Sequence, residues 1–230
     1  MCVCGYVFYS LALYLYFLFL KTQCGFERPM EVQRRMMWNL KGRSAVAALD
    51  PPTRHRIMQS HAMASCFHKP LLATLEVLIT VQYVGGITGP LQKPEPFICH
   101  VTRLLQITPD PSIVLAMLHQ DVHKYLRVAA LFIIRLIGNE AMMREAMRVG
   151  WEDYRKIRVY GYVEDLAGTT DGKENTASDE DEGFVRAPAY GIMCVDEITD
   201  RLFNVGESEM EKNGGSGILW LGLRLPPILL

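Results

Sequence analysis

The chain of 230 residues is half hydrophobic and 21% charged, which excludes disorder throughout and leaves room for one domain or at most two. Its 24 Lys and Arg face 25 Asp and Glu, so a globally basic nucleic-acid binder is excluded, though a local basic face is not. Eighteen Gly and 12 Pro follow no period, which excludes collagen-like and repeat architectures.

Residues 1–20 carry no charge and form a run long enough to cross a bilayer. The cations Lys21, Arg28, Arg34 and Arg35 all follow it, and neither the basic start nor the small-residue cleavage site of a signal peptide is evident. Two readings stand: a membrane anchor that leaves the bulk of the protein in the cytosol, or a translated upstream extension (1–29) with Met30 as the working start. Three cysteines (Cys2, Cys4, Cys24) lie in this region. The others (Cys66, Cys99, Cys194) are scattered among apolar runs with no C-x-x-C pair, as expected of a reduced interior. Residues 30–52 are polar and basic and read as a flexible arm.

Helical spacing begins after Asp50-Pro51-Pro52, with a short helix over roughly 53–65. Pro70 opens a helix over 70–84 that Gly85-Gly86 stops. Residues 85–96 read as a Gly/Pro loop without regular structure. Pro96 starts the next helix, ending near Ile107, and Asp110-Pro111 caps another. Residues 124–137 are apolar nearly all round, interrupted by Lys124, Arg127 and Arg135, which places a helix at the centre of a bundle. An amphipathic helix follows from Glu140 to about 158, with Met143, Met147, Trp151 and Tyr154 as its buried stripe. Residues 164–187 hold eight acids and two cations and read as a solvated insertion. Residues 189–195 can pair with 157–163 as a short hairpin, and 195–204 form a short helix. Gly214-Gly215-Ser216-Gly217 links to a final apolar segment, 218–230. The sum is an all-α fold, a single compact domain of five to seven helices with at most a short β-hairpin.

Chemistry-bearing constellations are sparse. His119 and His123 share one helical face by spacing, but Gln120 stands where a zinc hydrolase carries its Glu, and no third ligand is evident. The set His55, His61, Cys66 and His68 fits no ligand spacing. Gly85-Gly86-x-x-Gly89 follows a helical pattern and lacks the Lys-Ser/Thr of a phosphate loop. It reads as a loop needing positive φ and close backbone approach. No nucleophile elbow, triad order or apolar carboxylate pair is present. The reading is therefore not an enzyme, with no catalytic, metal or cofactor residues. Asp153-Tyr154-Arg155-Lys156-Ile157-Arg158 is the densest basic patch. It reads as the cationic last turn of a helix or, with its Tyr, as an RNA contact.

Several segments together resemble the pre-mRNA-splicing factor 38 family. They run from Tyr83-Val84-Gly85-Gly86-Ile87 through Lys93-Pro94-Glu95-Pro96-Phe97 to Leu104-Leu105-Gln106-Ile107-Thr108-Pro109. His123-Lys124-Tyr125-Leu126-Arg127 and Asp153-Tyr154-Arg155-Lys156-Ile157 follow in order. Val195-Asp196-Glu197-Ile198-Thr199-Asp200-Arg201-Leu202 and Leu225-Pro226 complete the series. The resemblance covers about Arg56 to the end and implies a nuclear, non-catalytic helical scaffold, needed for spliceosome activation and without cofactor. The implied partners are proteins of the tri-snRNP and pre-activation complex, with contact to a small nuclear RNA as a further option. It favours the upstream-start reading of 1–29 and makes 53–230 the splicing-factor domain, interrupted by the acidic insertion. The expected partner or RNA surfaces are Gly85, Gly86, Lys93 and Pro94 on one side, and Arg155, Lys156 and Arg158 on the other. The alternative function is a membrane-anchored helical interaction protein using residues 1–20.

Overall fold

The computed structural model describes residues 37–89, 91–161, 188–203 and 218–225. The apolar run 1–20, the acidic insertion and the Gly-Gly-Ser-Gly link lie outside the described residues. No helix among the described residues is long and apolar enough to cross a membrane.

Eight α-helices appear among the described residues: α1 (Pro51–Gln59), α2 (His61–Cys66), α3 (Leu71–Thr80), α4 (Pro96–Ile107), α5 (Pro111–His119), α6 (Lys124–Ile137), α7 (Glu140–Trp151) and α8 (Val195–Phe203). Their boundaries follow local chemistry. Asp50 accepts from the Thr53 amide, Asp110 from Ser112 and Asn139 from Met142, and Pro fills the first turn of α1, α4 and α5. As its all-round apolarity predicts, α6 is the core: every residue from Leu126 to Ile137 is buried.

The expected single short helix after Asp50 is two, because Ser60 ends α1 and caps α2 through its hydroxyl to the Met63 amide. The helix expected over 70–84 ends at Thr80, and the segment beyond it is extended. The β content exceeds the expected hairpin. Strands β1 (Val84–Gly85), β4 (Lys156–Gly161) and β5 (Ala189–Cys194) form one sheet in the order β1-β4-β5. The β4–β5 pair is the hairpin read from the sequence, in the register Lys156↔Cys194 to Gly161↔Ala189. β1 adds to it in parallel, Val84 opposite Val159. Within the supposed Gly/Pro loop, β2 (Ile87–Thr88) pairs with β3 (Lys93–Pro94). A last hairpin, β6 (Ile218–Trp220) with β7 (Leu223–Leu225), closes the core. The strands missed in the sequence are two or three residues long, too short to show alternation, and β1 is in addition held by a partner distant in sequence.

Two further expectations need correction. The segment from Trp38 onward is not a loose arm: the Trp38 indole donates to the Pro109 carbonyl at 2.8 Å, the Asn39 amide to Ile137, and Ala45 and Leu49 are buried. Helix α7 ends at Trp151 rather than 158, and its buried stripe is Met142, Ala146, Val149 and Gly150. Met143 and Met147 flank that stripe, while Trp151 and Tyr154 are exposed. The reason is the closeness of α8: a Cβ on Gly150 would lie 2.2 Å from the Thr199 hydroxyl, so small residues, not the bulky ones, mark the contact.

The final hairpin turns through Leu221 and Gly222, both at positive φ, the two-residue geometry that matches strand twist. It lays Trp220 against Phe132, ring centroids 5.7 Å apart and nearly parallel, while Phe97 meets Phe132 edge-on at 5.5 Å.

Candidate interaction surfaces

The expected surface residues Gly85 and Gly86 are both buried. The Ile87 amide donates to the Leu221 carbonyl at 2.8 Å, and a Cβ on Gly86 would lie 2.1 Å from that same oxygen. Close backbone approach is thus what these glycines permit, and the neighbour is the chain's own last hairpin. Gly89, at φ +78°, supplies the positive φ. In this loop Pro94 is buried, and Lys93 and Leu91 reach solvent. Glu95 is the loop's organiser: it accepts from the Tyr83 hydroxyl at 3.0 Å and the Thr88 hydroxyl at 2.8 Å. Burial, with the Glu95 hydrogen bond and charge, pushes the Tyr83 phenol well above its ordinary range.

The basic patch divides. Arg155 is taken up internally: it binds Asp153 through Nε and Nη2, and its Nη1 donates to the Asp121 carbonyl. Asp153 is 5% exposed and also accepts from Arg127 at 2.5 Å. Arg127, buried in α6, further donates to the carbonyls of Leu118 and Gln120 and to the Asp121 carboxylate. Burial alone would raise the Asp153 carboxyl, but the Arg155 and Arg127 hydrogen bonds outweigh it and hold the group below the usual carboxylate range. This network fastens the α5–α6 loop to the α7–β4 loop. On those loops Val122 and Tyr154 stand out at 63% and 72% exposure. Tyr154 is therefore not a core residue. Trp151 donates to the Asp200 carboxylate at 2.6 Å.

Lys156 and Arg158, by contrast, are exposed on the outer face of β4, because strand alternation sends Ile157 and Val159 inward. On the same face Tyr83, Tyr160 and Tyr190 cluster, with centroids 4.7–6.0 Å apart. The Arg158 guanidinium lies 4.8 Å from the Tyr190 ring centroid.

The histidines do not gather. His119 ends α5 and contacts Glu145 at 3.0 Å, while His123 precedes α6, so they do not share one helical face as their spacing suggested. Cys66 meets His100 instead, Sγ to Nδ1 3.3 Å, in the core. Burial lowers His100 to about 4, and burial pushes the Cys99 thiol up to about 11. No group of three or more His, Cys, Asp or Glu able to hold a metal occurs among the described residues. An open groove beside α1, lined by Ser44, Val46, Arg54, His55 and Met58, presents no buried nucleophile.

Comparison with known proteins agrees with this helical architecture. The chain is 28% identical over 121 residues to pre-mRNA-splicing factor 38 of Arabidopsis thaliana, covering 52% of this chain and 34% of the relative. It is 33% identical over 107 residues to pre-mRNA-splicing factor 38 of Schizosaccharomyces pombe, covering 46% and 50%. The chain thus spans between a third and half of the length of these curated relatives. A chain in the crystal structure of the Snu23-Prp38-MFAP1(217-258) complex of Chaetomium thermophilum has a similar fold, with a TM-score of 0.58 and 23% identity, covering 84% of this chain and 83% of that one. The model of the PRP38 family matches residues 39–207, beginning where the Trp38 segment docks on the core and including both ion-paired loops, and on that match the chain belongs to the PRP38 family.

Proposed function

We propose that this protein is a nuclear, non-catalytic scaffold of pre-mRNA splicing that joins the tri-snRNP or pre-activation complex and is needed for spliceosome activation. The observation that carries the reading is the family match across residues 39–207. The likeness in fold to a chain crystallised with Snu23 and MFAP1 supports protein partners. So does the arrangement of the surface: Tyr154 projects, near the exposed Val122, from loops that a buried ion network joins, and an exposed Tyr held in place is the kind of side chain that anchors protein interfaces. Lys93, exposed at the start of β3, belongs to a second contact region.

Affinity purification of the endogenous protein from nuclear extract, with mass spectrometry of its partners and mapping of its N-terminal peptide, tests this. Recovery of tri-snRNP proteins with a start at Met30 is expected, and Tyr154→Ala reduces that recovery several-fold. Recovery in a membrane fraction, with residues 1–29 retained and no splicing proteins, rejects the reading in favour of the anchored alternative.

A further inference from the structure

We propose that the outer face of the β1-β4-β5 sheet is a binding platform for single-stranded RNA, with Tyr190 as a stacking ring and Lys124, Lys156 and Arg158 as phosphate contacts. The register carries the argument. Arg158 faces Ile192 and Tyr160 faces Tyr190 across the β4–β5 pair, so cations, rings and an aliphatic side chain share one surface. Tyr190 is 55% and Ile192 69% exposed, which leaves ring and aliphatic surface for bases. Tyr83 meets Tyr190 edge-on at 5.4 Å and is itself tethered to Glu95, which limits the motion of the cluster.

Lys156 and Arg158 lie on the face itself, and Lys124 borders it from the start of α6. The Lys124 ammonium donates to the Lys156 carbonyl at 2.6 Å, and the Arg158 amide donates to the Tyr125 hydroxyl at 3.4 Å. Arg158 lies over Tyr190 by a ring contact that leaves its N–H donors available. None of the three pairs with a carboxylate among the described residues, whereas Arg127, Arg144, Arg148 and Arg155 all do.

A face whose cations are unpaired among the described residues and whose rings are accessible matches a chain of phosphates and bases. An acidic peptide would use only the cations, and an apolar one only the rings. Single strands are selected because their bases are free to stack, and the preference among base sequences is weak. This inference stands apart from the scaffold reading, since partner recovery and RNA affinity are measured separately.

Fluorescence anisotropy of the full chain with a labelled oligouridine of about 12 nucleotides, titrated at salt from about 50 to about 200 mM, tests it. Binding is expected with a slope of log affinity on log salt near about −2, as three phosphate contacts on a single strand give. Lys156→Ala with Arg158→Ala reduces that slope to about a third. Tyr190→Ala weakens binding about tenfold and Tyr190→Phe restores it, since stacking needs the ring and not the hydroxyl. A duplex of the same length binds more weakly. Unchanged circular dichroism shows that these surface variants fold. No binding at the lowest salt, equal affinity in the variants, or equal affinity for the duplex overturns the proposal. So does loss of a protein partner from nuclease-treated extract by Tyr190→Ala with RNA affinity unchanged, which assigns the face to a protein.

Discussion

His100 carries the clearest pH signature at the scale of single residues. It lies in the core against Cys66, 5% exposed, and burial lowers it from its ordinary 6.5 to about 4. The unfolded chain therefore binds a proton between these values that the folded chain refuses. The stability from a neutral His100 is complete above about pH 6.5 and is lost as pH falls toward 4, with a limit on the order of 3 kcal/mol. Burial lowers His123 as well, so it adds loss of the same sign. Urea unfolding is expected to show a lower midpoint at pH 5 than at pH 7, with a smaller difference in His100→Gln. An equal difference in both proteins would mean that His100 is not the group responsible. Arg127 and Arg155 show what a residue's neighbours decide. Both are plain cations in sequence, yet one is buried in the central helix and the other folded onto Asp153, so neither forms a free basic surface.

Among the secondary-structure elements, the last hairpin and the β1–β2 junction depend on each other. The Gly86 backbone lies against Leu221, and a Cβ on Gly222 would lie 2.3 Å from the Ile87 carbonyl. Gly86→Ala puts a methyl group into backbone that cannot yield cheaply and should cost about 1–3 kcal/mol. Gly89→Ala meets nothing within 4 Å and bears only the strain of φ +78°. Amide hydrogen exchange distinguishes them: the Ile87 amide, bonded to Leu221, is expected to exchange faster in Gly86→Ala than in Gly89→Ala. Equal protection would show that the hairpin is not seated by this contact. Helix α7 carries the complementary lesson. Its amphipathic pattern and its start at Asn139-Glu140 are local and legible, whereas the buried face is set by the approach of α8 to Gly150.

On the scale of the whole molecule, segments distant in the chain complete one core. β1 pairs with β4 in parallel, and Trp220 covers Phe132 of α6. Deleting residues 216–230 should uncover Phe132 and the Gly86–Ile87 backbone together. The expected loss is at least the roughly 3–5 kcal/mol of emptying a buried Trp site. Chemical denaturation measures it, and an unchanged midpoint would mean that the core closes without the hairpin. The scaffold reading rests on this scale too, because the ion network joins two loops of the assembled bundle, those that carry Val122 and Tyr154.

What the sequence by itself determined is what local physics controls. Pro at the first turn and Asp or Asn at the cap set the starts of α4, α5 and α7, and unbroken apolarity assigned α6 to the centre. Tyr, Val and Ile shared by 157–163 and 189–195 pointed to the β4–β5 hairpin, and motif order pointed to the family that the match over 39–207 establishes. The tertiary structure alone decided which cations stay free, which glycines are covered and which face of α7 is buried. Caps and periodicity act within a few residues along the chain. Ion pairs and close backbone contacts depend on partners as far off as Asp153 from Arg127, 26 residues away, or Leu221 from Gly86, and no local pattern encodes those distances.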